Sequence, residues 1–545
     1  MYKNKHVKRA VVLLIIFFVV FGALLWRIKV ITMDKAETLG VLQESQFEEK
    51  VDVSDLKYII FDQNGKQMLN YSNKYYAVID PVTFTRNYNN EDELFALTYI
   101  LRDYNSNYNL LNMGIGKSTA KIRYEVDEST YKKLNNIKDV KGFYTYRFSA
   151  VDRGEAWKLE NMLISIKNPS DDKTKKDDSL EMQIYKKTEK NETPKEVFNK
   201  DLDGNITHQG FNALDNNINV RLTIDKNIQD RVKEIITSDP YKKYDQIGVV
   251  LMESSSGKLL SMTQKDDSRA NVNLGSTGNG FDPGSIFKVI VEEAGLERKR
   301  ISLNEKYYCK NSIYSGIYDK CPEKDHGHLT IEEAMRVSCN NIFAQVGDKV
   351  GVNYFKENAE SQGLFKKVLN FDSEADGRIV MPEQGEGAGQ LAIGQSMLIT
   401  PIQAVSIANT VVNDGFYVKP YIIDAYVNNE NKAIEVLKTD KHQSINKSTA
   451  NILKNQMIKV VNSGTGVAAK IPNIEVGGKT GTSTRIDGTK KTSDGWFTGF
   501  FKIKNKYYSM VIYVQNIDIE NEQAANTAVP IFKEIVLALN DYLGK

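Results

Sequence analysis

The sequence predicts an α+β protein in three parts: a single N-terminal transmembrane helix, a mixed α+β domain, and a larger domain built on an antiparallel sheet flanked by helices. Three observations carry that prediction. Ala10 to Trp26 is an unbroken run of apolar residues and one glycine. From about Asp34 to Asn216 the chain is polar and rich in Asn, Lys and Tyr. Beyond Asn217, glycine turns, apolar strands and amphipathic stretches alternate, and some adjacent strands have no crossover helix between them.

The apolar run is flanked by Lys3, Lys5, Lys8 and Arg9 before it and by Arg27 and Lys29 after it. At 1.5 Å per residue it covers about 26 Å, and Ile28, Val30 and Ile31 extend it toward the ~30 Å of a bilayer core while Arg27 snorkels. A cleaved signal peptide is the competing reading. Such peptides have apolar stretches of about 7–15 residues and a small-residue cleavage site, whereas Trp26-Arg27-Ile28-Lys29 follows here. Residues 10–31 are therefore expected to be an uncleaved anchor. The excess of basic residues before it puts the tail, residues 1–9, in the cytoplasm and the rest outside.

The 545 residues carry 72 Lys+Arg against 70 Asp+Glu, a net charge of +2. No global field draws such a chain to nucleic acid or to acidic substrates. Three cysteines are too few for a disulfide framework.

Within residues 34–216, Asn64-Gly65 between Lys57–Asp62 and Gln67–Asn70 signals a hairpin turn. Glu91 to Arg102 and Arg153 to Ile166 have helical spacing, and Lys121–Val126, Gly142–Phe148 and Glu181–Lys186 read as strands. The run Asp171 to Asp178 reads as a solvated loop. In residues 217–545, VRLTID (Val220 to Asp225) leads into the amphipathic Ile228 to Ile236. Gly248–Met252 and Tyr508–Val514 are expected strands, and Ile331–Val337 an expected helix.

Three short motifs in this second half have the composition of an acyl-transfer site. Ser285-Ile-Phe-Lys288 follows Asp282-Pro283-Gly284, a turn that can open a helix, so the lysine amine lies within reach of the serine hydroxyl. A lysine kept neutral by burial can take the proton of a serine nucleophile. Ser338-Cys339-Asn340 supplies a second hydroxyl for proton relay and an amide that binds the lysine and a substrate backbone. Lys479-Thr480-Gly481-Thr482 suits an edge strand: glycine admits a substrate backbone, and the lysine and threonines hold a carboxylate. The backbone N–H groups of Ser285 and Thr482 would form an oxyanion hole. Each motif alone is ordinary helix, turn or strand chemistry; their order is specific.

With FDPGSIFK (Phe281 to Lys288), VSCNNIF (Val337 to Phe343), AIGQSMLITPIQ (Ala392 to Gln403), NSGTG (Asn462 to Gly466), GGKTGTS (Gly477 to Ser483) and GWFTGF (Gly495 to Phe500), the chain resembles the class B penicillin-binding proteins. These are peptidoglycan D,D-transpeptidases of the penicillin-recognising serine enzymes. The resemblance covers essentially all of residues 217–545. It implies a penicillin-binding domain with an all-helical subdomain beside its sheet, and a pedestal or dimerisation-like domain over 34–216. It also implies that Ser285 attacks the bond between the terminal D-alanines of a stem peptide, with Lys288 as base, Ser338 as relay and Asn340 positioning. Lys479, Thr480, Gly481 and Thr482 would bind the substrate or a β-lactam. Implied partners are peptidoglycan stem peptides, β-lactam antibiotics as inhibitors, the membrane, a SEDS-family glycosyltransferase and other cell-wall synthesis proteins, with no nucleic acid. No glycosyltransferase domain is read before the transpeptidase, which favours class B over class A. One departure is Lys57-Tyr58, where the family usually has Arg-Gly before its Ile-x-Asp, here Ile60 to Asp62.

Catalysis is expected to need no cofactor, but Cys309, Cys321, His326 and His328 fall within twenty residues, with Asp325 adjacent. Two thiolates and one imidazole, with Asp325 or His328 as the fourth ligand, would suit a structural Zn²⁺. A Cys309–Cys321 disulfide and free thiols are the alternatives, and Cys339 reads as a packed small residue. Rival functions are a serine β-lactamase, for which Asn341 to Glu475 offers no evident deacylating glutamate, and a membrane-bound β-lactam sensor or inert scaffold.

Overall fold

The computed structural model describes residues 3–34, 47–88, 94–108, 110, 120–138, 140–212, 216–310, 321, 325–383, 387–487 and 490–544. Lys3–Lys29 is one helix. Val7–Met33 is long and apolar enough to cross a membrane, and none of its most apolar window is buried. The chain forms two compact units. The first holds residues 1–57, 71–151 and 192–214; the second holds 58–70, 152–191 and 215–545.

In the first unit, Glu48–Asp52, Lys195–Lys200 and Ile206–Asn212 form one antiparallel sheet. Tyr71–Ile79 lies between Ile122–Val126 and Phe143–Val151 in another. Asp80 caps the helix Pro81–Asn87, accepting from Val82 and Thr83 N–H with proline in the first turn. Asp127 caps Glu128–Asn135 in the same way. Phe95–Tyr104 is helical, as expected of the later part of Glu91–Arg102; residues 91–93 lie outside the described residues. Leu97, Leu101, Leu134, Ala77 and Ile79 form the core between these helices and the second sheet.

The second unit is built on a five-stranded antiparallel sheet. Its strands are β1 (Gln246–Glu253), β2 (Leu259–Gln264), β3 (Val476–Asp487), β4 (Lys490–Ile503) and β5 (Lys506–Ile517), in the order β2-β1-β5-β4-β3. Helices α1 (Lys226–Thr237) and α2 (Lys288–Glu297) precede α3 (Ile331–Val337), α4 (Asn340–Val350) and α5 (Val352–Ser361). Three more follow: α6 (Pro401–Val412), α7 (Lys447–Ser463) and α8 (Ala528–Leu543). Side chains alternate across the sheet. On one face Phe497 and Phe501 pack with Ile228, Val232 and Ile236 of α1 and Ile531, Phe532 and Ile535 of α8. On the other, Thr498 Oγ1 donates to Ala404 O of α6, every residue of which is buried. An amphipathic α1 and a fully buried α6, which carries Gln403, Ser406, Asn409 and Thr410 among its apolar residues, cover the two faces.

Asn64-Gly65 makes the expected turn: Asp62 and Lys66 are bonded across it, and Gly65 has φ +84°. Beside it, Ile60–Phe61 runs parallel to Asn219–Leu222. Asp62 is fully buried and accepts from the N–H groups of Asn64, Lys66 and Lys226, so the Ile-x-Asp carboxylate is used although Lys57-Tyr58 precedes it.

Two expectations are corrected here. Glu181–Lys186 is not a strand but part of the helix Leu180–Thr188. Its buried face runs through Glu181, Met182, Ile184 and Thr188, and the buried glutamate disguises the helical period as alternation. Nor is Asp171–Asp178 wholly solvated. Lys175 is buried in an ion pair with Glu181 at 2.8 Å, both side chains at most 1% exposed, and its amine also donates to Met162 O.

Candidate active site

Ser285 lies in a 3₁₀ turn, Gly284–Phe287, that runs directly into α2. In such a turn residues i and i+3 eclipse, so Lys288 follows Ser285 on the same side. Gly284 has φ +55°, and a Cβ there would meet Thr482 O at 2.8 Å. Phe281 exchanges both backbone hydrogen bonds with Ile399, and Gly284 N–H donates to Gly394 O at 3.0 Å, which pins the turn from behind.

Helix α3 opens on a capping box, Thr330 with Glu333, and ends at Ser338 in the left-handed region, φ 57°. A serine there is strained, and the strain turns both its oxygens toward one amine. Lys288 Nζ donates to Ser338 O at 2.7 Å and to Asn340 Oδ1 at 2.7 Å, and lies 3.3 Å from Ser338 Oγ. The expected contact between Lys288 and Ser285 is not made: among the described residues no hydrogen bond joins them, and the amine is held by the second motif.

β3 is an edge strand of the sheet, as the third motif required. Lys479 Nζ donates to Ser338 Oγ at 2.7 Å and to Thr480 O at 2.9 Å. Gly481 faces the Ser285 turn so closely that a Cβ would lie 2.6 Å from Pro283 O. Thr482 Oγ1 accepts from Ala524 N–H at 3.1 Å, which leaves its hydroxyl hydrogen to donate. The Thr480 and Thr465 hydroxyls are 2.7 Å apart. Thr465, in the Gly464-Thr465-Gly466 loop after α7, is a site residue that none of the three motifs names; its flanking glycines are the sequence signal for it. Its backbone N–H also donates to Arg336 O of α3, so the loop ties the second motif to the third.

Ser338 Oγ thus lies between two amines that are both fully buried. Burial pushes Lys288 down to about 7. Burial, reinforced by the charge on Lys288, holds Lys479 well below the ordinary lysine value. A neutral Lys288 has two N–H donors, which Ser338 O and Asn340 Oδ1 take. Its lone pair then faces the Ser338 hydroxyl, whose oxygen accepts from Lys479. Such a chain can move a proton between groups in the cleft.

Next to this chain lies the cysteine cluster, with one member different from expectation. Cys309, Cys321, His326 and Cys339 bring one ligand atom each within 4.8 Å of the others. Sγ of Cys321 is 3.6 Å from that of Cys309 and 3.5 Å from that of Cys339, and Cys309 Sγ is 3.6 Å from His326 Nδ1. Asp325 and His328 are not in it. Cys309 pairs with Gly327 and Tyr308 with His328 in a two-stranded ladder, so alternation turns His328 to the opposite face, against the Tyr308 ring. Asp325 is exposed. All three cysteines are free thiols, their sulfurs far beyond the ~2.05 Å of a disulfide.

Residues 247–537, more than half of the chain, match the family described as the penicillin binding protein transpeptidase domain. Stage V sporulation protein D of Bacillus subtilis is 28% identical over 332 residues, covering 54% of this chain and 49% of that protein. Penicillin-binding protein PbpB of Mycobacterium tuberculosis is 24% identical over 345 residues, covering 58% and 51%. The chain spans about half the length of these curated relatives. Among solved structures, a peptidoglycan synthetase from Bifidobacterium adolescentis superposes with a TM-score of 0.63 at 17% identity, covering 91% of this chain and 97% of that one. Penicillin-binding protein 3 from Mycobacterium tuberculosis, solved in complex with aztreonam, gives 0.60 at 17% identity with the same coverage. At such identity these likenesses show the fold.

Proposed function

We propose, from the premise that this chain belongs to the penicillin-binding protein transpeptidase family, that it is a class B peptidoglycan D,D-transpeptidase acting through a Ser285 acyl-enzyme. One observation carries the reading: two buried amines converge on Ser338 Oγ beside a serine turn pressed against a glycine of the edge strand.

Ser285 Oγ attacks the carbonyl between the two terminal D-alanines of a stem peptide, and its proton passes to neutral Lys288. Catalytic hydrogen bonds commonly tighten only when substrate binds, so Lys288 reaches Ser285 in the complex and not before it. The Ser285 and Thr482 N–H groups hold the oxyanion. Collapse of the tetrahedral intermediate breaks the peptide bond, and the leaving D-alanine amine takes its proton from Lys288 through Ser338. A neighbouring stem-peptide amine then attacks the ester and regenerates Ser285. Thr480 and Thr482 hydroxyls, with the Lys479 amine beside them, hold the substrate carboxylate, and Asn340 positions Lys288. A β-lactam acylates the same oxygen.

The apolar helix anchors the chain with residues 1–9 in the cytoplasm and the residues beyond the span outside, where a SEDS-family glycosyltransferase supplies the glycan strand. The cysteine cluster fits a structural Zn²⁺. In a tetrahedral site with Zn–S bonds of about 2.3 Å the ligand atoms are ~3.8 Å apart, close to the 3.5–3.6 Å separations between the sulfurs and between Cys309 Sγ and His326 Nδ1. Cys309, Cys321, Cys339 and His326 would hold the ion. Bound there, it would fix the Ser338–Asn340 turn through Cys339.

Incubation of the full-length protein with a fluorescent penicillin tests the assignment. A stable adduct on the peptide carrying Ser285, absent in Ser285→Ala, together with D-alanine release from a stem-peptide substrate, supports it. Adduct turnover within seconds would make the protein a β-lactamase, and no adduct would reject the family's chemistry here.

A further inference from the structure

Helix α2, which carries Lys288, also carries two adjacent glutamates that the acyl-transfer mechanism does not use. Glu292 and Glu293 are both 0% exposed. Each meets one glutamine. Gln456 Nε2 of α7 donates to Glu292 Oε1 at 2.7 Å, and Gln362 Nε2, just beyond α5, donates to Glu293 Oε2 at 2.5 Å. In both pairs the leftover atoms match. Glu292 Oε2 and Gln456 Oε1 have no partner, and neither do Glu293 Oε1 and Gln362 Oε1.

If the glutamates were carboxylates, each pair would bury two acceptors with nothing to donate to them. A single proton on each carboxyl satisfies both atoms. The acid O–H then donates to the amide oxygen while the amide N–H donates to the acid carbonyl, closing a two-point ring. The glutamine N–H groups favour the ionised form, but burial outweighs them. Among the described residues no cation forms an ion pair with either glutamate. The ionisable groups facing Glu292 are Tyr307 and Glu332, the latter paired with Lys459 of α7. Those facing Glu293 are Glu297 and Glu292. From α4, Lys349 faces Tyr307, and α5 contributes the outward pairs Arg298–Glu357 and Lys356–Glu360.

We propose that Glu292 and Glu293 work as protonated positioning residues, two acid–amide clamps that fix the Lys288 helix between α7 and α5. Helix α7 packs on both β3 and α3, so the Gln456 clamp ties the first motif to the support of the other two. Keeping the acids neutral also keeps a counter-charge away from the amine one turn earlier. The effect on catalysis rests on the transpeptidase reading; the protonation does not.

Burial holds both carboxyls at about 8 against an ordinary 4.5. The stability they lend is complete below 4.5 and is lost as pH rises toward 8, because the native state holds the extra protons. In full-length detergent-solubilised protein, the wild-type folding constant should fall by about tenfold per acid per pH unit in that window, relative to Glu292→Gln/Glu293→Gln. The carboxylic-acid C=O band should persist in the wild-type infrared spectrum near neutral pH and be weaker in the double variant. Glu292→Ala should slow penicillin labelling about tenfold, and Glu292→Gln, which can close the same ring, should restore it. Parallel pH–stability curves for wild type and double variant would overturn the proposal, as would an unchanged carboxylic-acid band. Should the double variant not fold, a wild-type infrared titration decides: absence of a buried carboxylic-acid band at pH 6 refutes it. Absence of any labelling would count against the transpeptidase reading and leave the stability and infrared outcomes standing.

Discussion

A methyl group added at Gly481 tests how close the edge strand must lie to Ser285. The Cβ of Gly481→Ala would sit 2.6 Å from Pro283 O and 3.1 Å from Ile286 N, whereas ordinary contact begins at 3.4 Å. Strand and turn must therefore separate by about 0.8 Å, the difference between 3.4 and 2.6. Neither side yields easily. Behind Gly481 is fully buried Trp496 of β4, which is paired on both edges. The turn is held by Gly394 and Ile399. An error of ~1 Å in a near-attack geometry costs about 100-fold in rate, so acylation should slow by several tens of fold, a barrier increase of about 2–2.7 kcal/mol. Overpacking should lower stability by about 1–3 kcal/mol. Stopped-flow measurement of penicillin acylation reads the first quantity and thermal melting the second. Labelling within about threefold of wild type in a folded variant would refute the argument that this contact sets the oxyanion hole.

Other consequences follow from buried groups. With Lys288 held at about 7 by burial, acylation should rise as pH increases through 7, because the neutral amine is the base. Its depressed folded value is a cost to stability that is full below about pH 7 and is relieved as pH rises toward the unfolded value near 10.5; a rate profile flat from pH 5.5 to 8.5 would contradict the role of Lys288 as base. Breaking the Lys175–Glu181 pair with Glu181→Gln should cost about 3–5 kcal/mol in urea unfolding, and the apolar double replacement Lys175→Met/Glu181→Leu should recover much of it. Chelator treatment should lower the melting temperature of the full-length protein and leave Cys339→Ser, already short of one thiolate, much less affected. Equal shifts in both would argue against Cys339 as a ligand.

Where burial and period agreed, the fold was legible. Ile331–Val337 was read to the residue, and the strands around Gly248–Met252 and Tyr508–Val514 extend only a few residues beyond the reading. Legibility failed where a charged residue lies inside. Glu181 and Lys175 are mutually neutralising, and a pattern that scores charge as exposure necessarily turns the Leu180–Thr188 helix into a strand and the Lys175 segment into a loop. Glu292 and Glu293 are the same case within α2, where glutamates in a helix normally mark its wet face.

At the site, side-chain direction was harder to read than residue identity. The sequence offers Ser338 as a relay hydroxyl and Asn340 as an amide that binds the lysine, and the two do meet at Lys288. The residue between them was assigned to packing. Yet the left-handed turn at Ser338 followed by extended backbone at Cys339, φ −64° and ψ 112°, must send the middle side chain away from the two it separates. It points to Cys321, 3.5 Å away, so one three-residue turn serves the proton chain on one side and the thiol cluster on the other. His328 fails as a ligand for the same reason that Cys339 succeeds: alternation along an extended segment decides which residue reaches the cluster, and spacing in sequence cannot reveal it until the register against Cys309 is known.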